Sequence, residues 1–239
     1  MIKYCSLIFL LSLNCLAMEK SICGRSDDRE FSNNKKIGRV NDGDTSVCTV
    51  TMISNKCALT AGHCNSILDE VSFNVPRSID GNLSEAETKD RYEVDRYETY
   101  FADNGPGDDY AVIELLPNKI TGKLAGEAQG FYDVSFERPN VGDVISITGF
   151  GKDSRGDRNH SQQTHQAQVT GYISSKLQHN IDTRFGNSGS VVVDEVTKKV
   201  IAIHTHGACY ENGGSNIGTL ISRHTRLSQA IKNCLARGE

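Results

Sequence analysis

Three polar residues stand where they could move a proton and form a covalent bond. Ser188 lies in "RFGNSGS", residues 184–190, between glycines and just ahead of the apolar run Val191, Val192 and Val193. His63 lies in "LTAGHC" and Asp109 in "DDYAVIEL". A serine hydroxyl is a poor nucleophile near neutral pH, so it needs a base within hydrogen-bond reach and a third group to orient that base. An imidazole and a carboxylate are those groups. Each residue taken singly has an ordinary alternative: a flexible glycine-rich loop, a packed histidine, a turn aspartate. Taken together they suit acyl transfer, in which serine attacks a carbonyl carbon and histidine carries the proton to the leaving group. Gly186 and Gly189 fit a tight turn that brings backbone close to a substrate.

The three follow one another as His, Asp and Ser, 46 residues from His63 to Asp109 and 79 onward to Ser188. That order excludes the subtilisin and hydrolase-fold arrangements and leaves the chymotrypsin one. "TAGHC" resembles the histidine box of the trypsin-like serine peptidases, "DYAVIEL" their aspartate strand, and "ITGFG" the strand that opens their second barrel. "GNSGS" resembles their serine box in the version of the bacterial glutamyl endopeptidases, and "SICGRSDDR" and "IAIHTHGACYENGGSNIGT" are similar to the same branch. The resemblance implies an all-β fold of two antiparallel Greek-key barrels with a C-terminal helix and the cleft between the barrels. It implies a serine endopeptidase acting on protein or peptide substrates as a monomer, without cofactor or metal. His63, Asp109 and Ser188 would be catalytic, and the backbone N–H groups of Gly186 and Ser188 would receive the oxyanion. The hydroxyl of Thr205 would support the buried aspartate, an ordinary strand threonine being the alternative.

The resemblance also points to the pocket that chooses the substrate side chain, lined by Asp182, Thr183, His204 and the strand Thr205 to Gly207. Thr183 and His204 match the residues that receive a carboxylate in glutamyl endopeptidases, and a histidine can donate a hydrogen bond or carry positive charge. The alternative for His204 is a satisfied core histidine on an apolar strand. Asp182, six residues before the serine, argues for a basic side chain if its carboxylate faces the pocket. Turned away, it is a structural hydrogen-bond acceptor instead. His206 stands where the family keeps a pocket tryptophan, Arg184 where many relatives have a cysteine, and Val191 where proline is usual. A non-catalytic or highly restricted protease-fold protein, of binding or toxin-like type, is the competing reading. An esterase using the same acyl-transfer site is a third.

The frame that must hold these residues is read from the rest of the chain. "MIKYCSLIFLLSLNCLA" has one lysine ahead of an apolar core and ends on small side chains, the pattern of a secretory signal peptide over 1–17. No later stretch approaches the roughly 20 apolar residues of a membrane span, so the chain is expected to be secreted, extracellular or periplasmic, with no membrane partner. Losing Lys3 with that segment takes the net charge from -4 to -5, which offers no footprint for nucleic acid. Six cysteines then remain, an even number that favours disulfides in an exported chain. A zinc site is the competing reading for clustered Cys and His, but neither C-x-x-C nor H-E-x-x-H occurs. The resemblance pairs Cys48 with Cys64 around the histidine loop, Cys57 with Cys234 on the closing helix, and Cys23 with Cys209.

Short apolar runs punctuated by Gly, Asn and Asp predict strands over 46–54, 71–75, 91–100, 110–115, 144–150, 165–174, 190–194 and 200–205. Leu227, Ala230, Ile231, Cys234 and Leu235 form one apolar stripe at helical spacing. The expected division is an N-terminal segment 18–36, a first barrel 37–116, a linker 117–134 without strand alternation, a second barrel 135–222 and a helix 223–239.

Overall fold

A computed structural model of the chain describes residues 22–43 and 46–237; the expected signal peptide, 1–17, lies outside them. Six antiparallel strands close the first barrel: β2 (Ile37–Asp42), β3 (Ser46–Met52), β4 (Cys57–Thr60), β5 (Glu70–Ser72), β6 (Arg91–Asp103) and β7 (Asp109–Leu115), preceded in the chain by the short β1 (Glu30–Phe31). Their order around the barrel is β2-β3-β4-β7-β6-β5. Every residue of β7, "DYAVIEL", is buried, because one face fills this barrel and the other packs against its neighbour. That double burial explains why the stretch reads as an apolar run and not as an alternation.

The second barrel uses β8 (Val144–Gly149), β9 (Gln163–Ile173), β10 (Lys176–His179), β11 (Val191–Asp194), β12 (Val200–His206) and β15 (Asn216–Leu220), with a small ribbon of β13 (Cys209–Tyr210) and β14 (Gly213–Gly214) between the last two. The sheet runs β9-β10-β15-β12-β11-β8, and β8 pairs with β9 again to close the ring. β1 adds to the outside of β9. Between the barrels, 117–134 carries only the helical turn α1 (Ala125–Gln129) and a single bridge from Val134 to Val200. The expected pair of barrels is therefore found, while β4, β10 and β15 had no distinct apolar signal because "CALT", "KLQH" and "NIGTL" are short or broken by glycine.

The closing helix α2 (Thr225–Arg237) buries Leu227, Ile231 and Cys234, leaving Ala230 and Leu235 partly covered. These side chains join Cys57, Leu59, Tyr110 and Val112 of the first barrel to Val191, Val193 and Ile203 of the second in one apolar cluster. Three disulfides tie the frame: Cys48–Cys64, Cys57–Cys234 and Cys23–Cys209, the same partners that the resemblance implies. Cys57–Cys234 closes 177 residues of chain, and cross-links over long loops restrict the unfolded chain most. Replacing both Cys57 and Cys234 by Ser is expected to lower the unfolding free energy by about 2–4 kcal/mol, measured by denaturant titration with the other two bridges intact.

Candidate active site

Asp109, His63 and Ser188 meet where the barrels face each other. β4 runs into a 3-10 turn, Gly62–Ile67, that carries His63, and β7 begins at Asp109. Gly62 has a steric reason to be glycine: a Cβ there would stand 1.8 Å from the carbonyl oxygen of Ala102 on β6. This close approach lets the turn reach the buried carboxylate. Asp109 is 0% exposed, and its Oδ1 accepts the backbone N–H groups of Gly62 at 2.6 Å and His63 at 3.2 Å. Its Oδ2 lies 2.6 Å from His63 Nδ1. Burial pushes the Asp109 carboxyl up, but the hydrogen bonds and charge of His63 outweigh it and hold the group below the usual carboxylate value.

The contacts assign the histidine tautomer. A carboxylate only accepts, so Nδ1 carries the proton and Nε2 is left to accept from Ser188 Oγ, 2.7 Å away. Ser188 sits in a turn locked to both barrels. From β3, Thr49 N–H donates to the Ser188 carbonyl at 2.8 Å, and Thr49 Oγ1 donates to the Gly186 carbonyl at 2.9 Å. Gly189 N–H reaches His204 O on β12 at 2.9 Å. Gly189 has φ +86°, and a Cβ there would fall 2.1 Å from Thr60 Oγ1, so no larger residue fits. The backbone N–H groups of Gly186 and Ser188 have no acceptor among the described residues. Such an array can transfer a serine proton to His63 and offer two donors to a developing oxyanion.

The pocket residues divide. Asp182 is 1% exposed and both its oxygens are engaged: Oδ1 accepts Cys23 N–H at 2.7 Å and Oδ2 accepts Asp28 N–H at 2.9 Å. Its expected place as a substrate-binding carboxylate is thus corrected, since both oxygens anchor the N-terminal segment. Burial, only partly offset by those two bonds, raises its carboxyl above the usual value. Thr205 is corrected as well. Its Oγ1 meets Ile217 O at 3.5 Å and His206 Nδ1 at 2.9 Å and makes no hydrogen bond to Asp109, whose near positions are held by Gly62 and His63. His206 instead comes nearest the carboxylate on that side, 3.8 Å from Oδ2.

Thr183 is fully buried, and its Oγ1 has no hydrogen-bond partner among the described residues. His204 is fully buried on β12, and Gly207 follows the strand's end, also buried. His204 Nδ1 lies 3.2 Å from Nε2 of the buried His179, whose own Nδ1 accepts Ile181 N–H at 3.3 Å. His179 therefore donates from Nε2, His204 Nδ1 accepts, and the His204 proton sits on Nε2. Burial, with the charge of His165 adding to it, lowers His179 to about 3, which keeps this imidazole neutral.

Residues missed from sequence include Thr49 and His179. A strand threonine and a lone histidine carry no local signal. Of the groups with metal-ligating types, Cys48, His63 and Cys64, and Cys57, Glu114 and Cys234, are built on disulfides. Asp28, His165 and Asp182 bring ligand atoms within 4.8 Å of one another, but His165 Nδ1 accepts Asp182 N–H at 2.8 Å, so that nitrogen is already used.

The family described as Trypsin matches residues 29–231. The chain belongs to the trypsin family. It is 28% identical over 189 residues to the glutamyl endopeptidase of Bacillus licheniformis, covering 74% of this chain and 56% of that protein, so the match spans about half the length of this relative. Among solved structures, a Glu endopeptidase in complex with MPD superposes with a TM-score of 0.69 at 22% identity, covering 90% of this chain and 100% of that one. A thermostable serine protease from an extremophilic microorganism gives 0.65 at 14% identity, covering 84% of this chain and 97% of that one. Neuropsin from mouse brain gives 0.65 at 15%, covering 87% and 98%. At these identities the structures show the shared fold.

The neutral, buried His179 predicts a pH effect on stability. The unfolded imidazole titrates near 6.5 and the folded one at about 3, so the folded state binds fewer protons between these values. Its contribution is full above pH 6.5 and is lost as pH falls through 3. His179→Gln is expected to flatten the acid slope of the unfolding free energy between pH 6 and 4 relative to the parent, as measured by denaturant titration at several pH values.

Proposed function

We propose that this chain is an exported serine endopeptidase that cleaves peptide bonds through an acyl-enzyme on Ser188. The observation that carries this reading is the continuous path Asp109 Oδ2 to His63 Nδ1 at 2.6 Å and His63 Nε2 to Ser188 Oγ at 2.7 Å. Ser188 Oγ attacks the scissile carbonyl while its proton passes to His63 Nε2. Asp109 keeps the imidazole in the required tautomer and stabilises the imidazolium as it forms. The oxyanion is received by the N–H groups of Gly186 and Ser188, already aimed before substrate arrives, so little reorganisation opposes the step. His63 then gives its proton to the leaving amine, and a water takes the same route to release the acid.

An acidic side chain before the cut fits this pocket best. The Thr183 hydroxyl and the Nε2–H of His204 are the donors a carboxylate needs, and a buried site that hydrogen-bonds its ligand rejects those that cannot bond. Asp182, the residue that would favour Lys or Arg, holds Cys23 and Asp28 with both oxygens. The name glutamyl endopeptidase of the Bacillus relative agrees with this choice. Export is supported by the apolar leader and by three disulfides, which persist in oxidising compartments. No helix among the described residues is long and apolar enough to cross a membrane.

An active-site phosphonate is expected to label the parent at Ser188 and to leave Ser188→Ala unlabelled, read by mass spectrometry; a parent that resists labelling overturns the serine mechanism. Digestion of an unbiased peptide mixture is expected to place Glu or Asp before the cuts. Asp182→Asn should leave that preference in place, and cuts after Lys or Arg by the parent would reject the acidic pocket.

A further inference from the structure

The stretch "SICGRSDDR" takes no part in the chemistry above, yet it ends in a buried guanidinium. Arg29 lies just before β1 and is 3% exposed. Its Nε and Nη2 face the two carboxylate oxygens of Asp27 at 2.9 and 2.6 Å, a bidentate pair, and Asp153 lies 3.6 Å from Nη2. The surroundings hold this group firmly. Arg158 donates to the Arg29 carbonyl and pairs with Asp153 at 2.9 Å, and a cation out of water is tolerated only with such partners.

The remaining contact leads to the serine turn. Arg29 Nη2 donates to the Lys152 carbonyl at 3.0 Å, and the Lys152 N–H donates to the Phe185 carbonyl at 2.7 Å. In a planar trans peptide the carbonyl and the following N–H point opposite ways. With Phe185 O turned to Lys152, the Gly186 N–H is turned the other way, where no described residue takes it. Arg29 also packs behind the turn: a Cβ on Gly151 would stand 2.3 Å from Arg29 Nη1 and 2.1 Å from Asn187 Oδ1. The guanidinium is thus separated from the residue between Gly186 and Ser188 by a single glycine.

We propose that Arg29 is a positioning residue for the oxyanion donors: by fixing Lys152 it sets the Phe185–Gly186 peptide and presents the Gly186 N–H to the reacting carbonyl. The inference rests on the serine peptidase reading. It makes the N-terminal segment part of the catalytic frame, bound at one end by Asp182 and the Cys23–Cys209 bridge and at the other by Arg29. No covalent step is involved. The cation acts by pre-organisation, which affects the transition state more than substrate binding.

The test uses the full exported chain and a peptide substrate. Arg29→Ala is expected to lower kcat by about 10-fold to 100-fold, somewhat less than loss of an oxyanion donor itself, with KM changed by less than about 3-fold. Added guanidinium chloride at a non-denaturing concentration should restore part of kcat, whereas tetramethylammonium chloride at equal ionic strength should not. A folded Arg29→Ala protein with parental kcat, or with KM alone raised, overturns the proposal. Should Arg29→Ala not fold, Asp27→Asn carries the test, because Asp27 is 21% exposed and orients the guanidinium from outside. Reduced kcat in that variant supports the role, and unchanged kcat rejects it. A parent that takes no phosphonate refutes the serine mechanism instead, so the two failures are distinguishable.

Discussion

A carboxylate with no access to water, Asp109, is the constraint around which the two barrels are arranged. A buried charge is costly unless it is hydrogen-bonded on every side that could otherwise meet solvent. Here the first barrel contributes Gly62 and His63, and the second closes the same residue from behind, with Thr219 Oγ1 donating to the Asp109 carbonyl at 2.7 Å. The hydrogen bonds to the charge itself come from Gly62 and His63 of the first barrel, while the second holds the backbone of the same residue. Domain packing and electrostatics are therefore one problem in this protein, and the helix α2, bridging both barrels with an apolar stripe and a disulfide, helps to keep them in register.

The same economy holds for the serine turn. Its carbonyls are tied to β3 of the first barrel through Thr49, its N–H at Gly189 to β12 of the second, and its neighbour Phe185 to Lys152. Three of the four peptide groups between Phe185 and Gly189 are thus pinned by three separate parts of the chain. The N–H groups left over, at Gly186 and Ser188, are those that acyl transfer would use. Polar groups left without a partner at a cleft represent stored binding capacity, since a ligand that satisfies them meets no competing protein contact.

Around His204, neutrality is kept in a similar way. His179 is too buried to ionise near neutral pH, and it passes this restriction on by fixing which His204 nitrogen carries the proton. An imidazole so oriented donates to a carboxylate without bearing a permanent charge. Asp182, close in sequence to Thr183, does not oppose this because it is spent on the N-terminal segment. Two adjacent residues, Asp182 and Thr183, hence differ: one braces the scaffold with both oxygens, and the other keeps a buried hydroxyl without a hydrogen-bond partner among the described residues.

Much was legible in the order of residues. In the box "TAGHC", the strand "DYAVIEL" and the turn "GNSGS", local backbone geometry and burial leave few substitutes: Gly62 touches β6, Gly189 has a left-handed backbone, and β7 is enclosed on both faces. The order of these boxes and the resemblance they carry pointed to the two-barrel fold and to the residues that meet at the cleft, and apolar runs marked the longer strands. What it did not determine was direction. Whether Asp182 faces substrate or scaffold, whether Thr205 or His206 approaches Asp109, that Arg29 reaches Lys152 and that Thr49 reaches the serine turn depend on partners 154, 159, 97, 123 and 137 residues away. Only the tertiary structure decided these, because a side chain's orientation is set by which distant donors or acceptors the fold brings within hydrogen-bond range.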